Sequence, residues 1–310
     1  MGQRLDRFTS KAAPLLPSPL IQKYIRTKRI KVNGKSAPRD YRLALNDVVS
    51  MYVNDEYFEN PKPDRVFDDK SNINLDIIYE DKNILLVNKQ AGILCHSDTS
   101  ENSDTLVSAI QSHLFKNGEW NPHEETSFAP ALCNRIDRNT SGIVIAAKNA
   151  QSLRILNEKL KMREVDRMYL TIVHGLPNPL QGKIEGFWSK DNSKNQAEIS
   201  KKSSVGAKVA ITEYTTLATA KKLSLLECKL ITGRTHQIRS QLADKGIPIL
   251  GDIKYGGEPR NRPYKERTQA LCSYKVVFSF KTDTDILSYL NGKTFEVKNI
   301  PFVKKYFPDF

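Results

Sequence analysis

Apolar positions in the first fifty residues recur at helical spacing and then switch to alternation. Arg4-Leu5-Asp6-Arg7-Phe8 opens one helical face. Ser18-Pro19 reads as an N-cap followed by proline at the first helical position, and Leu20, Tyr24 and Ile25 then share a face. Arg29-Ile30-Lys31-Val32 alternates like a half-buried strand and turns at Asn33-Gly34. Two short helices and a small hairpin are predicted. Further on, residues 76–80 and 84–89 read as paired strands turning at Asp81-Lys82-Asn83. Leu106, Ile110 and Leu114 mark an amphipathic helix over 103–115. Residues 142–147 form an apolar run of buried-strand length, with a helix over 150–160 behind it. Strands are predicted at 169–173, 209–214, 223–231 and 275–280. Strands and helices mix without the strict alternation of a parallel-sheet enzyme.

Charge divides the chain. Its 310 residues suit two domains and carry a net charge of +13. Residues 1–50 hold 11 Lys/Arg against 3 Asp/Glu, whereas residues 51–80 hold 3 against 8. The change of sign, with Pro61-Lys62-Pro63-Asp64 and the run 68–72, predicts a first domain over 1–54, an acidic linker over 55–72 and a second domain over 73–310. Lys23, Arg26, Lys28, Arg29 and Lys31 crowd nine positions, and no acid occurs between Asp6 and Asp40. A merely solvated face would intersperse acids, so a polyanionic partner, structured RNA, is expected. Cys95, Cys133, Cys228 and Cys272 match neither zinc-ligand spacing nor a disulfide scaffold. No glycine-rich phosphate loop occurs and no apolar run reaches membrane-spanning length. A cytoplasmic monomer without metal, nucleotide or other cofactor is expected.

Two constellations could carry chemistry. Asn134-Arg135-Ile136-Asp137-Arg138-Asn139-Thr140-Ser141-Gly142 places one carboxylate between two arginines at the entrance of the buried strand. Neighbouring cations favour the ionised carboxylate that a nucleophile or base requires, while a structural salt bridge is the plainer alternative. Gly233-Arg234-Thr235-His236-Gln237-Ile238-Arg239 follows a strand and opens a helix, with arginines suited to phosphate or carboxylate. His236 suits a general base or a hydrogen-bonded structural role.

Across about fifty residues the N-terminal stretch resembles the S4 RNA-binding domain, through Arg4–Phe8, Ile21-Gln22-Lys23-Tyr24-Ile25, Lys31-Val32-Asn33-Gly34-Lys35, Tyr41-Arg42-Leu43 and Asn46-Asp47-Val48-Val49. The remainder resembles the RluA-type pseudouridine synthases in four ordered blocks. These are Tyr79-Glu80-Asp81 through Lys89 with Ala91-Gly92 and His96; Arg135-Ile136-Asp137 with Thr140-Ser141-Gly142; residues 163–169 ending at Val173 and Gly175; and 233–239 continuing to Pro248–Asp252 and Tyr255-Gly256-Gly257. The departures are Asn134 where the family has histidine, Gln90 where it has proline, and Cys272 in place of a second histidine. The resemblance implies an α+β pseudouridine synthase fold, a mixed, largely antiparallel sheet with a central cleft preceded by a small S4 domain, and isomerisation of uridine in RNA, ribosomal large-subunit RNA before tRNA. It implies Asp137 as nucleophile or base, Arg234 as its ion-pair partner and Tyr169 stacked on the uracil. Arg135, Arg138, His236 and Arg239 are assigned to RNA contact. The rival reading is an RNA-binding or ribosome-assembly factor that has lost catalysis.

Overall fold

The computed structural model describes residues 2–58, 71–97, 104–125, 128–191, 196–203 and 205–310. Most of the expected linker, including Pro61–Asp64 and residues 68–70, lies outside them, as does Ser103. The chain forms two compact units, one of residues 1–70 with 114–129, the other of 71–113 with 130–310.

In the first unit, helices α1 (Leu5–Ala12) and α2 (Ser18–Arg26) accompany strands β1 (Ile30–Val32), β2 (Lys35–Ser36) and β3 (Val49–Met51), ordered β2-β1-β3. Leu5, Leu16, Ile21, Ile25, Ile30 and Val32 are its buried core. The expected hairpin is β1–β2, with Asn33 and Gly34 at positive φ in its turn. Three local expectations are corrected. Pro17 occupies the N-cap of α2 and no side chain caps it, because Pro19 falls inside the first turn. The buried centre of α2 is Ile21 and Ile25, with Leu20 and Tyr24 at its margin. Strand β3, whose residues carry no strong alternation, closes the sheet on the other side of β1.

The second unit is built on an eleven-stranded sheet. Its strands are β4 (Ile77–Glu80), β5 (Ile84–Lys89), β6 (Ala131–Leu132), β7 (Ser141–Ala147), β8 (Val165–His174), β9 (Gln181–Asp191), β10 (Gln196–Ser200), β11 (Lys208–Ala220), β12 (Leu223–Leu230), β13 (Leu271–Phe278) and β14 (Thr294–Glu296). The main order is β10-β9-β11-β12-β8-β13-β7-β5-β4; β6 pairs with β7 and β14 with β13. Among the described residues every pairing is antiparallel except β13–β7. This is the mixed, largely antiparallel sheet of an α+β fold. Helix α3 (Leu106–Lys116) buries Leu106 and Ile110. Helix α4 (Ala150–Met162) starts where the Asn149 side chain accepts from Ser152 N, and packs Ile155 and Leu156 into a core with Ile84, Leu86, Ile143, Ile145 and Phe278. A second core joins Leu170, Ile172, Leu225, Leu250 and Cys272. Strands β9 and β10, absent from the sequence reading, lie at one margin of the sheet. Strand β13 begins at Leu271, four residues before the expected Lys275.

Candidate active site

The Asp137 loop owes its position to the strands on either side of it. Residues 133–140 connect β6 to β7, which pair antiparallel through Leu132↔Ala146. Strand β5 lies beside β7, with Lys89 opposite Gly142. Lys89 is 1% exposed, and its ammonium donates to three carbonyls, Gln90 O, Ile93 O and Arg138 O, each at 2.9 Å. Burial pushes this ammonium down to about 8, although the nearby Cys95 and Asp137 work the other way. Lys89 thereby ties the strand end to the loop. Arg138 Nε and the Arg138 carbonyl both bond Gly92, at 3.1 and 2.9 Å. Asn134, which stands at the family's histidine position, accepts Ile145 N through Oδ1 at 2.8 Å.

The opposite wall is helix α5 (Gln237–Asp244), fixed by two buried glutamines. Gln237 Nε2 donates to Ile211 O and Thr212 Oγ1, and its Oε1 accepts from Arg234 N and Thr232 Oγ1. Gln241 Nε2 donates to Ile184 O and Ala210 O, and its Oε1 accepts from Thr212 Oγ1 at 2.6 Å. These seven amide hydrogen bonds, pulled inward, set the rotation of α5 about its axis. That rotation turns Arg239 towards the carboxylates.

Arg239, not Arg234, holds Asp137. Its Nη1 donates to Asp137 Oδ2 at 2.8 Å, while Nε and Nη2 form a fork on Asp252 at 2.7 and 3.0 Å. Burial works to lower the Arg239 pKa, but Asp252 and Asp137 more than offset it and raise it above the ordinary value. Arg234 sits before the helix, and its Nε donates to Val209 O at 3.2 Å. The expected Arg234–Asp137 pair is therefore corrected; Arg239, expected at the RNA, is buried with its guanidinium divided between two carboxylates. Asp252 caps a short helix, α6 (Ile253–Gly256), by accepting Tyr255 N. The Tyr255 ring lies under the Arg239 guanidinium at 5.1 Å, and its hydroxyl shares a 2.9 Å hydrogen bond with His236 Nδ1. His236 Nε2 is 3.9 Å from Asp137 Oδ2. Burial lowers the His236 pKa, with Asp137 working in the other direction.

These walls enclose a cavity of about 480 Å³ lined by Asp137, Arg135, Tyr169, Arg234, His236 and Arg239, with Asn134, Arg167 and Gly233 among its other residues. Tyr169 enters from β8, between Cys228 of β12 and Ser273 of β13, and burial raises its phenol pKa. Arg135 is exposed on the cavity wall, whereas Arg138 is spent on Gly92. Asp137 Oδ2 is held by Arg239, and among the described residues no hydrogen bond reaches Oδ1. The site is thus one carboxylate with one anchored and one free oxygen, beside a buried aromatic ring. Among the described residues no group of three or more His, Cys, Asp or Glu side chains is placed to hold a metal ion.

Three residues of this arrangement escaped assignment from the sequence. Lys89 and Asp252 are charges just past the short apolar runs Ile84–Val87 and Ile247–Leu250, and that position is the available signal. Arg167 had none beyond its place two residues before Tyr169. The basic residues Lys23, Arg26, Lys28, Arg29 and Lys31 belong to the first unit. Lys23, Arg26 and Lys28 line a groove of about 640 Å³ together with Arg39, which the sequence reading omitted. Arg29 lies 5.0 Å from the Tyr24 ring and Lys31 5.4 Å from that of Tyr52.

Comparison with known proteins gives the same direction throughout. The RNA pseudouridylate synthase family profile matches residues 83–244. An uncharacterized RNA pseudouridine synthase of Mycoplasma capricolum is 33% identical over 98% of this chain and 96% of its own. Ribosomal large subunit pseudouridine synthase D of Borreliella burgdorferi is 39% identical over 66% of this chain and 61% of its own. Among solved structures, human RNA pseudouridylate synthase domain containing 1 aligns over 75% of this chain and 86% of its own, with a TM-score of 0.57 and 20% identity, a likeness of fold. The matched segment spans both the Asp137 loop and α5, and this chain belongs to the RNA pseudouridylate synthase family as an RluA-like RNA pseudouridine synthase.

Proposed function

We propose that Asp137 is the reacting carboxylate and that the RNA is large-subunit ribosomal RNA. The free Asp137 Oδ1 carries this reading. Arg239 fixes the carboxylate through the other oxygen, so Oδ1 is the one atom of the group left to meet a substrate. Pseudouridine formation breaks the N1–C1′ bond of a uridine, turns the base and rejoins it through C5. Oδ1 serves either as nucleophile at C1′ or as the base that takes the 2′ proton. Tyr169 offers its ring to the uracil, and Arg135, exposed at the cavity wall, fills the space left in the RNA by the extruded nucleotide. The ribosomal assignment draws on the name of the Borreliella relative. The first unit, whose sequence resembles an S4 domain, docks RNA through its basic groove.

Asp137→Asn is isosteric but can neither attack nor accept a proton, so it should bind RNA and lose turnover by at least about four orders of magnitude. Tritium release from ribosomal RNA labelled at uridine C5 measures this, and substantial release by the variant would remove Asp137 from the chemistry. A primary isotope effect with 2′-deuterated uridine assigns the base role; its absence assigns the nucleophile.

A further inference from the structure

Two hydrogen-bond donors belonging to residues that line the Asp137 cavity are buried without a partner among the described residues, Arg167 Nε and Asn134 Nδ2. Asn134 is 9% exposed, and its amide is oriented by the bond that its Oδ1 accepts from Ile145. Arg167 stands two positions before Tyr169 on β8, so both side chains leave the same face of the strand. Its guanidinium lies against Gly233. A Cβ at residue 233 would sit 3.2 Å from Nη1 and 3.5 Å from Nη2. Gly233 has no positive φ, so its missing side chain makes room for Arg167 and is not demanded by the backbone. Among the described residues no carboxylate pairs with Arg167. Shielding a charged donor from water without a partner is costly, so these donors point to a ligand atom that completes them.

The reaction supplies such an atom. When N1–C1′ breaks, the bonding pair leaves with N1, and uracil becomes an anion spread over N1, O2 and O4. This holds if C1′ is then bonded to Asp137. It holds equally if Asp137 has taken the 2′ proton and the sugar carries a C1′–C2′ double bond. The charge persists until C5 bonds to C1′, as the bond from C1′ to Asp137 breaks in the first case or as Asp137 returns its proton to C2′ in the second, after which the C5 proton leaves and N1 gains one. We propose that Arg167 holds the detached uracil anion while it turns, with Asn134 Nδ2 as a second donor. The inference rests on the reading of Asp137 as the reacting carboxylate. A phosphate is the poorer occupant, because Arg167 and Asn134 share the cavity lining with Asp137 and Tyr169, where the base is held, whereas the exposed cation of that lining is Arg135.

The test compares Arg167→Gln and Arg167→Lys, in the full chain, on RNA transcripts that the unaltered protein modifies, made with uridine or with 5-fluorouridine. Fluorine stabilises the uracil anion by itself, so it should substitute in part for Arg167. In single turnover, rearrangement of uridine should fall about 100-fold in the Gln variant, as for loss of a donor to a developing anion. The loss with 5-fluorouridine should be several-fold smaller, with RNA affinity within about threefold of the parent. Arg167→Lys, which keeps the charge and is the safer variant for folding, should fall between. Gly233→Ala should slow the parent by crowding the guanidinium and add nothing to Arg167→Gln. Equal losses on both RNAs would overturn the proposal. So would weaker, less salt-dependent RNA binding at unchanged turnover, which marks a phosphate contact. An inactive Asp137→Asn beside a fully active Arg167→Gln sinks this inference alone, whereas an active Asp137→Asn sinks the reading beneath it.

Discussion

At the scale of single residues, Arg239 does more than any other side chain to define the site. One guanidinium serves Asp137 and Asp252, and the Asp252 side chain is 1% exposed. Arg239→Ala should leave Asp252 as a buried, unpaired carboxylate, a defect of about 3–5 kcal/mol. Arg239→Lys offers a point charge in place of a fork and can satisfy one carboxylate at a time. The alanine variant should therefore lose most of its stability to urea. The lysine variant should fold and lose turnover, because Asp137 is no longer held by one oxygen. An alanine variant with an unchanged urea midpoint would show that Asp252 finds another partner. Arg234, which shares the motif but donates to a backbone carbonyl, should tolerate substitution with little change in stability.

At the scale of elements, β7 brings the Asp137 loop to β13, its parallel neighbour in the sheet. Gly142 makes that approach possible. Its φ is +107°, and a Cβ there would sit 2.3 Å from Ser273 O, a backbone atom that cannot swing aside. Gly142→Ala should cost on the order of 3 kcal/mol through steric displacement and backbone strain together. Gly34 in the first unit also has positive φ, +74°, but open space around it. Its alanine variant should lose only about 1 kcal/mol, the conformational penalty alone. Equal urea midpoints for the two variants would mean that β7 and β13 slide apart cheaply.

At the scale of the whole molecule, the distribution of charge separates binding from chemistry. Lys23, Arg26, Lys28 and Arg29 are exposed and carry no ion pair among the described residues. Replacing all four with serine should weaken binding of a long RNA and reduce the slope of log affinity against log salt by roughly 3, the share of four phosphate contacts. Single-turnover rate on saturating RNA should be unchanged, since none of the four lines the Asp137 cavity. Equal salt slopes for parent and variant would leave this face without a docking role.

What the sequence determined by itself was local. The Asp137 loop was legible because its residues are contiguous and precede the apolar run of a buried strand, and the strands at 84–89, 142–147 and 223–231 announced themselves by Ile84–Val87, Ile143–Ala147 and the clustered Leu223, Leu225 and Leu226. Strands β9 and β10 did not, because half-exposed strands at the margin of a sheet alternate weakly and read as polar loop. The partner of Asp137 was beyond the sequence altogether. Arg234 and Arg239 lie in one motif with equal chemistry, and the choice between them is the rotation of α5, set by Gln237 and Gln241 reaching strands far away in the chain. The bond that results joins residues 102 positions apart. Lys89 met its three carbonyls, and Arg167 its place against Gly233, by the same route: strand register and helix rotation are fixed by packing between distant segments, and no spacing along the chain encodes them.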